Sequence, residues 1–160
     1  LAHSTVPSPT STARTGPAPQ PTLAVRPDLA AVTTWALQLQ NIALAVNPAF
    51  YVFPQNASGI LNDLGDDQAS IDKYLAHING LGAEDTFFRS GDVDENGPLN
   101  PDEYTLEQLD RFHAAGKVIL SIDYVTDSDK VADFFRLARE RGFVPYAGVR
   151  ALDRVVINEP

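Results

Sequence analysis

The sequence predicts a parallel α/β domain behind a flexible N-terminal tether, and three observations predict it. Residues 117–125 (Lys-Val-Ile-Leu-Ser-Ile-Asp-Tyr-Val) are nearly continuously apolar and β-branched, as in a strand buried on both faces of a parallel sheet. A helical stripe and a further apolar run at 143–149 follow, so strand, helix and strand close a βαβ unit whose crossover is expected to be right-handed. Residues 1–27 hold six of the 12 prolines and eight Ser/Thr, with no acid and no aromatic. Such a segment cannot bury enough apolar surface to offset its ordering entropy, and it reads as a disordered tether. The domain proper is expected over 28–160.

The elements follow in order. Residues 28–46 are rich in Ala and Leu and suit a helix capped by Asp28. A strand through Trp35 competes, because Leu37 and Leu39 alternate with Gln38 and Gln40. Residues 49–53 (Ala-Phe-Tyr-Val-Phe), closed by Pro54, read as a strand. Ile71, Tyr74, Leu75 and Ile78 share one face of a helix over 70–78. Residues 86–88 (Thr-Phe-Phe) are a second short apolar run, also read as strand. A helix over 101–115 turns Leu106, Leu109 and Phe112 inward and stops at Gly116. After the strand at 117–125, Asp127 or Ser128 caps a helix with a stripe of Val131, Phe134, Phe135 and Ala138, ended by Gly142. From residue 48 the order is therefore β-α-β-α-β-α-β, a parallel α/β architecture.

Composition narrows function. The 160 residues suit one ordinary domain, and 44% hydrophobic with 9% aromatic residues can form a core. Twelve Lys+Arg against 21 Asp+Glu give a formal charge of −9, which disfavours a nucleic-acid partner and suits a neutral or cationic ligand. The absence of Cys removes disulfides, thiolate metal sites and Cys nucleophiles. No stretch reaches the roughly 20 apolar residues of a membrane span. A Ser/Thr/Pro leader opening at Leu1 rather than Met fits an exported protein, extracellular or secreted, after signal-peptide removal.

Chemistry in parallel α/β folds collects at the carboxyl ends of strands. The residues expected there are Gln55 and Asn56, then Glu84 and Asp85, then Asp123 and Tyr124, then Tyr146 and Arg150. Together they suggest a concave acidic site. The lone indole, Trp35, suits either sugar stacking or the core, and the core reading is preferred.

Five blocks in order carry a resemblance: residues 35–41 (Trp-Ala-Leu-Gln-Leu-Gln-Asn), 47–56 (Asn-Pro-Ala-Phe-Tyr-Val-Phe-Pro-Gln-Asn), 78–85 (Ile-Asn-Gly-Leu-Gly-Ala-Glu-Asp), 116–125 and 142–150. Over roughly residues 33–153 the chain resembles the endo-α-1,4-polygalactosaminidase-like glycoside hydrolases, family 114. The resemblance implies part of a (β/α)₈ TIM barrel and a galactosamine-containing polysaccharide as substrate or ligand. It places Glu84 at that family's proposed acid/base position. Trp35, Gln38, Gln55, Asn56, Asp85, Tyr124, Tyr146 and Arg150 are then the expected substrate-binding set.

A complete barrel takes about 250 residues. In this chain Asn41 is followed six residues later by Asn47, where the family has three further strands and the Leu-Asp motif carrying its proposed nucleophile. The expectation is an incomplete barrel, its first strand joined to its last four, with catalysis weak or lost. A non-catalytic carbohydrate-binding protein or a truncated barrel fragment is the alternative. Glycosidases need two carboxyl groups, about 5–5.5 Å apart when retaining and about 6.5–9.5 Å when inverting. Asp123 is the nearest topological substitute for the missing one, expected mainly to hold or orient substrate. Open sheet edges would invite self-association.

Residues 92–103 also fit a 12-residue calcium loop, although the preceding run reads as strand where an entering helix is needed. Asp92, Asp94 and Asn96 stand at positions one, three and five, Gly97 at six, Pro98 at seven, Asn100 at nine and Glu103 at twelve. An acidic loop capping the next helix would use many of the same residues. A structural calcium is the one cofactor the sequence suggests, and none is required. His3, His77 and His113 lack zinc-ligand spacing.

Overall fold

The computed structural model describes residues 29–158 except 90 and 92–94. The tether, Asp92 and Asp94 lie outside the described residues. The order is α1 (Leu29–Val46), α2 (Ile60–Asp63), α3 (Gln68–Ala76), β1 (Gly80–Glu84), α4 (Glu103–Ala114), β2 (Val118–Asp123), α5 (Ser128–Glu140) and β3 (Val144–Ala147). The strands form one parallel sheet in the order β1-β2-β3.

Local chemistry explains the strongest elements. Asp127 caps α5 by accepting from the amides of Asp129 and Lys130, at 3.1 and 3.2 Å, an arrangement worth about 1 kcal/mol. Helices α4 and α5 end identically. Gly116 and Gly142 both take φ of +75°, and the amides of Lys117 and Phe143 reach back to the carbonyls of Phe112 and Ala138. These are two Schellman closures, and each delivers the chain directly into a strand.

Pairing sets which side chains share a face. Gly82 stands opposite Leu120, itself opposite Val144, and Glu84 stands opposite Ile122, itself opposite Tyr146. The other face carries Leu81, Ala83, Ile119, Ser121, Asp123 and Ala147, all buried. Helix α4 packs on β1 and β2, and α5 packs on β3. Phe112, Phe134 and Leu109 are fully buried in this core, each side chain contributing roughly 1.5–3 kcal/mol.

The sheet corrects two expected strands. Residues 49–53 form none, because Pro54 lacks an amide and so interrupts the ladder that Asn79 N begins on Val52 O. The segment instead runs beside β1 through one parallel bridge, Gln55 with Gly82, with Gly82 N donating to Pro54 O at 2.9 Å and Asn56 N to Gly82 O at 2.8 Å. Residues 86–88 form a turn after β1, and the strand is the glycine-rich stretch before them. Gly80 is needed there, since a Cβ would run into the Val118 backbone carbonyl and the Phe53 ring, and at Gly82 the Gln55 side-chain amide lies over the bare Cα. Of the two readings for residues 28–46, the helix is the one observed.

Both sheet edges expected to be open carry partners. The 52–56 segment borders β1, and Asn158 brackets Ala147 of β3, accepting its amide at 2.8 Å and donating to its carbonyl at 2.9 Å. Pro145 further blunts the β3 edge. No described helix is long and apolar enough to cross a membrane.

Candidate functional site

Glu84 ends β1 on the Gly82 face, at the carboxyl edge of the sheet. Asn56 meets it reciprocally: Asn56 Nδ2 donates to Glu84 Oε2 at 2.9 Å, and Glu84 N donates to Asn56 Oδ1 at 3.0 Å. Asn56 takes φ of +53° to do so, a backbone that Asn tolerates better than most residues. Tyr124, one residue past β2, donates its hydroxyl to Glu84 Oε1 at 2.6 Å. The Gln55 side chain lies nearby and also favours the ionised carboxylate.

A second pair braces the first. Arg150 Nη2 donates to Asp85 Oδ1 at 2.5 Å, and its guanidinium lies 4.0 Å above the Tyr124 ring centroid. Asp85 itself has φ of +50°, which turns it off the strand and toward Arg150. Gln55, Asn56, Glu84, Asp85, Tyr124 and Arg150 are thus brought together as expected for a strand-end cluster.

The electrostatics of Glu84 follow from these donors. The Tyr124 hydroxyl, then Asn56, hold its carboxyl below the usual glutamate range, with partial burial opposing them. Tyr124 is pushed up to about 12 by burial and by its bond to Glu84, so it remains a donor. At neutral pH the cluster holds two carboxylates against one guanidinium, a net negative site. Glu84 accepts side-chain bonds from Asn56 and Tyr124, which leaves acceptor capacity for a ligand hydroxyl or ammonium. A general acid needs the opposite perturbation, a carboxyl kept protonated.

Asp123 does other work. It is 0% exposed, and it lies on the helix-covered face with Ile119 and Ser121. Its Oδ1 accepts from Thr86 N at 2.6 Å, and its Oδ2 from Phe87 N at 3.0 Å and Phe88 N at 2.7 Å. The carboxylate therefore holds the turn after β1, where a substrate-orienting role would require an oxygen facing solvent. Burial pushes its pKa up to about 6 against the opposing pull of the three amides.

Three other expected ligands stand apart. Trp35 and Gln38 are exposed on α1, which packs on α3, and Trp35 at 58% exposure is not a core residue. Tyr146 shares the face of Glu84, but its hydroxyl accepts from Val156 N at 3.0 Å and so fastens the C-terminal segment. The residue whose importance sequence reasoning missed is Asn79. Its Oδ1 accepts from Val52 N at 2.8 Å while its own amide donates to Val52 O, aligning the segment that presents Asn56. The only signal was an Asn-Gly pair that reads as a turn.

Of the calcium pattern, Asn96 has another engagement. Its Oδ1 accepts from Thr126 N and Asp127 N at 2.7 and 2.9 Å, so it pins the start of α5 and faces no cation. The Lys130 ammonium donates to the carbonyls of Asn96 and Gly97. A turn rather than a helix precedes the loop, and Leu99 bridges Phe88. Asn100 N donates to Phe87 O, and Glu103 opens α4 exposed, next to Pro98, Pro101 and the rest of that solvated stretch. Among the described residues no cluster of three His, Asp or Glu could hold a metal.

A cavity of about 890 Å³ lies elsewhere, between α5 and residues 156–158. Its polar lining is engaged, with Arg136 bonded to Asp133 and Glu140 and Arg139 over Phe135. None of the Glu84 cluster lines it.

No protein-family model matches the chain. Three relatives do, each named an uncharacterized protein. One from Deinococcus radiodurans is 27% identical over 131 residues, 82% of this chain and 39% of the relative. One from Thermotoga maritima is 27% identical over 132 residues, 78% of this chain and 38% of the relative. One from Methanocaldococcus jannaschii is 28% identical over 107 residues, 62% and 29% respectively. The chain spans about two fifths or less of the length of the curated relatives it matches.

Proposed function

We propose that this chain binds amino-sugar polysaccharide at the carboxyl edge of its sheet through Glu84, with hydrolysis weak or lost. The observation that carries the reading is the carboxylate itself, kept ionised by Tyr124 and Asn56 at a strand end. An ionised acceptor in a net negative cluster suits the ammonium and hydroxyl groups of a cationic sugar chain. It does not suit proton donation to a leaving group. Neither neighbouring carboxyl supplies the second catalytic group in its present role, Asp85 being held by Arg150 and Asp123 by three amides.

The relation to a TIM barrel belongs to the same proposal. Strand order β1-β2-β3 runs without reversal, as in a barrel wall and unlike a doubly wound sheet at its switch point. The composition of residues 1–27 supports export.

Calorimetry with galactosamine oligomers tests the reading. Binding is expected to the free-amine oligomer, weaker to its N-acetylated counterpart, and lost in Glu84→Gln, with no reducing ends released. Equal binding by Glu84→Gln removes the proposal. Reducing-end release abolished by Glu84→Gln restores an enzyme.

A further inference from the structure

Helix α1 carries no charged residue over its 18 positions. Trp35, Leu39, Ile42 and Val46 recur at spacings of four, three and four, the seam of a two-helix coiled contact. All four are solvent-facing, at 58, 39, 69 and 84% exposure. The helix is held by a different stripe, with Thr33 and Ala36 buried where α1 packs on α3. Its apolar seam therefore faces outward from an otherwise anchored element.

We infer that this seam pairs with the same seam of a second copy, giving a two-fold dimer through α1. Three features select a second copy over a foreign chain. The seam is self-complementary, as a two-fold interface must be. Flanking positions Gln38, Ala43 and Ala45 offer no charge that would choose a different partner. A chain of net charge −9 can approach its own copy only where that charge is locally absent, and α1 is such a surface. The size is also adequate. The four side chains expose on the order of 500 Å² per protomer, so a pair removes about 1,000 Å² from water, the size at which specific interfaces begin.

The pairing differs from association through sheet edges, which Asn158 and residues 52–56 already border. It does not depend on the proposed ligand.

Sedimentation equilibrium of the full chain at up to about 100 µM tests it. A dimer is expected, with its dissociation constant raised about 100-fold or more in Ile42→Glu/Val46→Glu. Both positions face solvent, so the double variant should keep the parent's circular dichroism and cooperative melt. A parent that stays monomeric overturns the inference, as does a dimer that survives the double variant. Because the chain has no Cys, single Leu39→Cys and Ile42→Cys variants give an independent reading. Oxidation should trap a covalent dimer through at least one of them, and failure of both under conditions where the parent dimerises also overturns it.

Discussion

Asp123 offers the sharpest test of how the site is supported. Its carboxylate is fully buried and satisfies the amides of Thr86, Phe87 and Phe88, residues themselves at most 4% exposed. Asp123→Ala strands three buried donors, each costing about 1–3 kcal/mol if nothing replaces the acceptor. Partial relaxation of the turn brings the expected loss to about 3–5 kcal/mol, a large fraction of the roughly 5–15 kcal/mol typical of a domain. Asp123→Asn keeps the shape but turns an NH₂ toward a backbone N–H, for an expected loss of about 2 kcal/mol at low pH. The two variants also separate charge from shape. The folded-state pKa of Asp123 is raised from 3.8 to about 6, chiefly by burial. A raised value means stability that is fully present below pH 3.8 and declines as pH climbs through 6, by about 3 kcal/mol in all. The amide cannot titrate, so the deficit of Asp123→Asn should shrink and vanish between pH 4 and pH 7. Urea denaturation of both proteins at several pH values measures this directly. A deficit that widens with pH would mean that the three amides outweigh burial and hold the carboxyl below its ordinary value, refuting the balance described.

Tyr124→Phe removes the leading cause of Glu84's lowered pKa, so a carbon-detected NMR titration should show the Glu84 pKa moving up; no upward movement would detach the two residues. Gly80→Ala places a methyl against the Val118 backbone carbonyl and the Phe53 ring, and a loss of about 1–3 kcal/mol is expected from overpacking. Weakened glycan binding should accompany it because Asn56 shifts, and an unchanged melt would show the segment to be loosely held. Asn96→Ala frees the Thr126 and Asp127 amides and is expected to cost about 1–2 kcal/mol, with faster hydrogen exchange confined to the start of α5. Uniform exchange along the chain would contradict that placement.

Much of the C-terminal half was legible in the sequence. The apolar run at 117–125, the Asp127 cap and the glycines at 116 and 142 each act within a few residues, and the structure realises them as β2, the start of α5 and two Schellman closures. The strand-end location of Glu84, Tyr124 and Arg150 followed from the same local order. The first half was less legible. Residues 49–53 look more strand-like than residues 80–84 by composition, yet pairing with β2 and the close approach of Phe53 and Gln55 favour the glycine-bearing stretch.

Which face each carboxylate takes was also beyond the sequence. A run apolar on both sides has period-two alternation without a label for inside and outside, so nothing local separates the roles of Glu84 and Asp123. Residue identities alone determined that an acidic α/β domain would carry ionisable groups at its strand ends. Only the tertiary structure decided that Glu84 faces out as a held acceptor while Asp123 is buried to brace a turn, because register, helix packing and three distant amides set the burial of each.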